Sequence, residues 1–256
     1  MKKLLIRICI GLVIVFILGV VVVCLSLDTA VKRGIETAGP MLTKVQVKLD
    51  SVSLSLLSGG GKIKGLFVGN PAGFKTASAI QVGSVSLALR PGSILSDKVI
   101  IRSIDLQAPE ITFETDLKNN NLSKILANLQ AATGGSENSN QTAASKGGKK
   151  LQVDDFLISN ARLHVSLTSF GGASATVPLP EIHLTGLGQG PDGITAAELT
   201  KVVLAEIEKE AMKASSGVVA DLGKNAAGLT KGLSGTATGA VDKVTKGLGG
   251  LFKKNN

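Results

Sequence analysis

The chain has no tryptophan and no tyrosine, and its 256 residues hold only seven phenylalanines, two cysteines and two histidines. Each scarcity removes a class of function. Proteins that hold single-stranded nucleic acid stack bases on aromatic rings, so a basic chain this poor in rings is not expected to take a nucleic acid partner. Cys9 and Cys24 both lie in one apolar run near the N-terminus, which leaves the rest of the chain without a disulfide, a thiol nucleophile or a thiolate ligand. His164 and His183 each sit in an alternating strand pattern with no cysteine or second histidine at metal-ligand spacing, so both read as sheet-face residues. There is no G-x-S-x-G nucleophile elbow. Asp154 and Asp155 are adjacent in a strand, where neighbours point to opposite faces, and cannot share one proton. Gly186-Leu187-Gly188-Gln189-Gly190 begins like a phosphate-binding loop, yet Pro191 stands where its third glycine belongs. No catalytic residue, no metal site and no cofactor is expected, and the chain does not read as an enzyme.

What is present begins with a long apolar run. Residues 8–27 are twenty consecutive uncharged residues, which as a helix span about 30 Å, the hydrocarbon thickness of a bilayer. A cleaved signal peptide is the rival reading, but Cys24-Leu25-Ser26-Leu27 offers no small-residue cleavage pattern. Lys2, Lys3 and Arg7 precede the run, so the positive-inside bias puts the N-terminus in the cytoplasm and the body across the membrane. The net charge of +9 is uneven: residues 28–150 are basic, residues 151–214 are acidic and residues 215–256 are basic again. Bases near an anchor and in a tail suit a surface that meets anionic lipid.

The body carries strand signals with a recurring slip. Val45, Val47 and Leu49 alternate with polar residues, and then the phase inverts so that Val52, Leu54 and Leu56 alternate with serines. A one-residue slip swaps the buried face, so Asp50-Ser51 is expected to be a bulge or bend. The run 80–90 repeats the device, with Ile80 and Val82 on one phase, Val85, Leu87 and Leu89 on the other, and a glycine at the switch. Such devices curve a sheet. Strands are also expected over 63–68, 99–106, 111–113, 151–158, 161–167 and 181–184, with Pro109 as an edge or break.

Helices are fewer. One caps at Asp28 or Thr29 and stops at Gly39-Pro40; a second follows Asn119-Asn120-Asn121. A third opens on the capping box Thr195-Ala196-Ala197-Glu198, runs to about Lys213 and stops at Gly217. Beyond it, Leu222, Leu229, Leu233 and later apolar residues recur at helical spacing with lysines between them, a basic amphipathic pattern suited to a membrane surface. Nine glycines in that tail, each costing a helix about 1 kcal/mol, argue for disorder in water.

The stretch "GLFVGNPAGF" at residues 65–74 is the most distinctive, and it holds no reactive side chain. Gly69, Asn70, Pro71, Gly73 and Phe74 read as a structural turn: proline fixes φ, asparagine caps, the glycines permit positive φ, and Phe74 folds back on the sheet. With its flanks it carries a resemblance. The runs "LTKVQVKLDSVSLSLLSGGGKIKGLFVGNPAGF", "SVSLALRPGSILSDKVIIRSIDLQAPEITFE" and "NNNLSKILANL" resemble the N-terminal region of AsmA-like proteins of bacterial envelopes, over about residues 1–130 and more weakly over 151–185. The resemblance implies a bacterial inner-membrane protein, single-pass, with a periplasmic body, related to large bridge-like proteins whose β-grooves carry phospholipid. The chain departs from the long members in size, having too few strands to cross an envelope at about 4.8 Å per strand.

The sequence therefore predicts an α+β protein: an N-terminal transmembrane helix, then a curved, mainly antiparallel β-sheet shaped as a groove, a few packing helices and a flexible glycine-rich tail. The expected divisions are an anchor over 1–27, a strand-rich half over 28–132, a flexible linker over 133–150, a second strand-rich segment over 151–214 and a tail over 215–256. The groove lining is expected to include Val45, Val47, Leu49, Leu54, Leu56, Phe67, Val85, Leu87, Leu89, Ile104 and Leu106. The expected partner is membrane phospholipid; the alternative is a structural or assembly role in which an envelope protein pairs with the sheet edge.

Overall fold

A computed structural model describes residues 26–55, 57–134, 149–168, 172–218 and 220–221. The expected anchor lies almost wholly outside these residues, as do most of the linker and most of the tail. Among the described residues no helix is long and apolar enough to cross a membrane.

Ten strands form one curled, open sheet, and three helices accompany it. The strands are β1 (Val47–Lys48), β2 (Ser51–Leu54), β3 (Gly60–Gly69), β4 (Ser78–Leu89), β5 (Lys98–Gln107), β6 (Glu110–Thr115), β7 (Lys150–Ser159), β8 (Arg162–Leu167), β9 (Ala173–Pro178) and β10 (Ile182–Leu187). The helices are α1 (residues 26–43), α2 (Asn121–Gly134) and α3 (residues 196–218).

Pairing shows that several of these strands are halves of longer ones. β5 and β6 lie end to end along β4, β7 and β8 run parallel beside them, and β10 and β9 close the far margin antiparallel. The sheet is thus mixed: it is mainly antiparallel, as expected, with seven antiparallel pairings against the two of an unforeseen parallel seam. Parallel neighbours need a crossover, which α2 and the segment after it provide.

The breaks between halves fall on a single row. They occur at Leu49-Asp50, Gly65, Gly83, Ala108-Pro109, Asn160 and the segment 179–181, and the registers on either side place these positions across from one another. At each break the apolar phase slips by one residue, so one continuous face stays apolar throughout. Row by row, Val52, Ile63, Val85, Leu106, Ile158 and Ile182 are mutual neighbours, and across the crease so are Val47, Val68, Ile80, Ile111, Leu163 and Val177. A second slip crosses three strands at Arg102, Asp154 and Gly186, while β4 keeps its phase through Leu87 and Leu89. Gly65 shows why the crease needs its residues: φ is +62° there, and a Cβ would come within 2.0 Å of Asp50 Oδ2.

The helices pack on the apolar face. Leu122, Ile125, Leu126 and Leu129 of α2 and Leu204, Ile207 and Ala211 of α3 join one core with the sheet. Each leucine or isoleucine among them contributes about 1.5–3 kcal/mol on burial. α1 has a different task. Asp28 Oδ1 accepts the Leu54 N–H at 2.8 Å, Glu36 Oε1 accepts the Leu49 N–H at 3.0 Å, and Lys32 Nζ donates to the Asp50 carbonyl at 2.8 Å. Spaced four apart, these side chains lie along one helix face and occupy the backbone groups of the edge formed by β1 and β2.

Two helix ends differ from the sequence expectation. α1 continues through Gly39-Pro40 to residue 43, because Gly39 sits against Val47, where a Cβ would come within 2.9 Å, and Thr43 Oγ1 donates to the Gly39 carbonyl at 2.7 Å. α3 passes through Gly217, with Ser215 buried and Val218 packed on the core. In both cases tertiary packing outweighs local helix-breaking preference. The capping box of α3 forms as expected, with Thr195 N–H and Oγ1 donating to Glu198 and the Glu198 N–H donating to Thr195 Oγ1 at 3.1 Å.

Candidate functional site

Three regions of the sheet carry features of possible function: its apolar face, the far end with the distinctive turn, and its polar face.

On the apolar face, Val45, Val47, Leu49, Val85, Leu89, Ile104 and Leu106 are all buried, at 4–9 % exposure. Leu54 and Leu87 are half-buried against the same core. Leu56 lies outside the described residues. Phe67 is a correction: it stands in the opposite row, between Lys48 and Gln81, because the slip at Gly65 turns Leu66 and Val68 inward instead. The lining is therefore graded. Ile158 and Leu163 are at 0 % beneath the helices, whereas Leu54, Leu87 and Leu184 keep partial exposure in a row toward the start of α1 whose Ile104 and Phe156 are buried. Leu184 and the deeper Phe156 belong to the same row and were not among the expected lining residues.

At the far end the turn 69–77 is tied into a buried polar clasp. Glu114 of β6 is at 0 % exposure, and its carboxylate accepts the Lys75 N–H at 2.7 Å, the Thr76 N–H at 2.8 Å and the Thr76 hydroxyl at 2.5 Å. The Asn70 side-chain amide donates to the Thr76 carbonyl and hydroxyl. Asn121, also at 0 %, donates to Asn70 Oδ1 and to the Thr112 carbonyl, each at 2.8 Å. Every polar group is thereby matched, as burial demands. Gly73 adopts φ +99°, and the Phe74 N–H returns to the Pro71 carbonyl at 3.3 Å. The β3–β4 connection is thus held to the start of α2 through Asn70. Beside them Phe74, Asp116, Asn119, Asn120, Ser123 and Thr168 line an open cleft of about 540 Å³.

The polar face places both histidines on carboxylates. His164 Nε2 meets Glu110, and its Nδ1 lies 2.8 Å from Thr176 Oγ1. His183 Nε2 lies 2.5 Å from Asp155 Oδ1, and this hydrogen bond, followed by the carboxylate's charge, raises the His183 pKa above its ordinary 6.5. Asp154 turns instead to the Gln152 side chain at 2.7 Å, so the two aspartates serve different partners. The Thr176–His164–Glu110 sequence superficially matches a nucleophile, base and orienting acid. It lies on the polar face of the sheet, with Thr176 exposed and His164 and Glu110 half-buried. Among the described residues no group of three or more His, Cys, Asp or Glu could hold a metal ion.

No family model, no curated protein and no solved structure matches the chain.

Proposed function

We propose that the chain is a membrane-anchored envelope protein whose curled sheet handles phospholipid at a bilayer surface, in the manner the resemblance to AsmA-like proteins implies. One observation carries the reading: the apolar face runs unbroken across six strand positions of an open sheet, and three of its leucines in one row, Leu54, Leu87 and Leu184, keep partial exposure. Because the deeper rows are core, the acyl seat is shallow and lies along Leu54, Leu87 and Leu184. Placing a photoreactive side chain at Leu87 or Leu184 in the full chain, in membranes, tests this. Phospholipid adducts at those positions and none at Ile158 are expected; absence of adducts at both margin positions excludes the seat.

A second reading, partner binding by strand addition, is favoured by the asymmetry of the edges. α1 occupies the β1–β2 edge, whereas β9 is exposed at Ser174 and Thr176. The Leu179 N–H points inward to the Ala161 carbonyl, so by alternation those of Ser174 and Thr176 point outward. Pro178 and Pro180 confine the free edge to a few residues. Crosslinking from Ser174 to one protein partner, without lipid adducts at Leu87, would decide for this reading.

A further inference from the structure

Two loops meet at the near end of the sheet, where α1 starts. The turn 55–59 joins β2 to β3, and the segment 90–97 joins β4 to β5. They are in direct contact: the Leu89 N–H donates to the Gly59 carbonyl at 2.6 Å, and a Cβ on Gly59 would lie 3.1 Å from Pro91. Each tip presents a leucine to solvent, Leu57 at 88 % and Leu95 at 94 % exposure. These are the two most exposed large apolar side chains among the described residues. Leucines so placed serve no packing role.

Their surroundings are basic. Arg90 is exposed between the loops, Lys149 donates to the Ile94 carbonyl beside Leu95, and Lys98 and Lys150 are paired in register where β5 and β7 begin. Asp97, Asp192 and Glu198, the last beside Lys150, are the exposed acids of this end, against the four bases. The path of the chain adds an independent fact. Asp28 is bonded to the Leu54 N–H, so α1 begins at this same end, and the residue before its described start continues directly into the uncharged run 8–27.

We infer that the loops 55–59 and 90–97 dock on an anionic bilayer, with Leu57 and Leu95 entering the headgroup–acyl boundary and Arg90, Lys98, Lys149 and Lys150 facing lipid phosphates. Apolar tips flanked by bases are the composition that binds such an interface. The inference rests on the anchored reading above and goes beyond it by fixing which end of the sheet faces the lipid. It also puts the half-exposed margin of Leu54 and Leu87 next to the bilayer.

The test uses the full chain in vesicles, with Cys9→Ser and Cys24→Ser as background and a polarity-sensitive dye attached at Leu57→Cys, Leu95→Cys or, at the opposite end, Lys118→Cys. Both loop positions are almost fully exposed, so these substitutions leave the core intact. In phosphatidylcholine mixed with an equal part of phosphatidylglycerol, the loop labels are expected to shift to the blue and to be quenched by brominated acyl chains. The Lys118 label is expected to remain aqueous, and Arg90→Glu is expected to weaken quenching at the loops. Loop labels that stay in water overturn the inference, and so does shielding that appears in detergent without lipid and grows with protein concentration, which would assign the leucines to a second copy. Aqueous loops with lipid adducts at Leu87 would sink the docking alone; docked loops without adducts would sink the acyl seat alone.

Discussion

The Glu114 N–H donates to Asn121 Oδ1 at 3.0 Å, and the same Asn121 side chain donates onward to Asn70 Oδ1 at 2.8 Å. This exchange joins a strand, a helix start and a turn fifty-one residues upstream in one buried knot. Replacing Glu114 by Gln keeps the shape but turns an amide donor toward groups that are themselves donors. Glu114→Gln and Asn121→Ala are each expected to cost about 1–3 kcal/mol, read as a lower urea midpoint at unchanged slope.

Gly65→Ala meets two obstacles, a left-handed backbone and the Asp50 carboxylate. A loss of about 1–2 kcal/mol from the backbone alone is expected, with more from the contact. Asp50→Ala should return the contact part and leave the backbone part, so a double-mutant cycle by chemical unfolding separates them. Full additivity would show that Asp50 is not what crowds the position.

Asp28→Ala and Glu36→Ala each leave an edge N–H without its partner. Amide exchange at Leu54 is expected to quicken in the first variant and at Leu49 in the second, at a cost of about 1 kcal/mol apiece. The double variant exposes the β1–β2 edge and is expected to self-associate, measured by light scattering.

The His183 pKa is raised, mainly by its hydrogen bond to Asp155. A folded value above the unfolded one means that the pair's contribution is complete below pH 6.5 and is lost as pH rises through the folded value. Imidazole resonances should titrate for His183 above 6.5, and Asp155→Asn should bring that midpoint down toward the ordinary value. A midpoint unmoved by Asp155→Asn would remove the carboxylate as the cause.

The local irregularities were legible because each leaves a mark in alternation: Val45–Leu49 against Val52–Leu56 announces the break at Asp50, and Val82 against Val85 announces the one at Gly83. Their alignment was not legible, since it depends on which strands are neighbours. β9 escaped notice because Ala173, Ala175 and Val177 are too small to signal a strand after Gly171-Gly172, and it is partner pairing with β8 that makes them one. The parallel seam was hidden for a similar reason: β7 repeats the β5 pattern, but nothing in either run states direction. Phe67 was assigned to the wrong face because its bulk outweighed the phase, and a positive-φ glycine two residues earlier decides the phase. Of the distinctive turn, the roles of Asn70, Pro71 and Gly73 could be read locally, whereas Glu114 and Asn121 lie some forty and fifty residues away and gave no sign of joining them.

The shared crease gives the sheet two leaves on one spine. Any flexing is channelled about that line, since it is the height at which every strand of the sheet is interrupted. A strand annexed at the β9–β10 margin would have to bring its own irregularity at the same height, or it would stiffen the spine and fix the angle between the leaves.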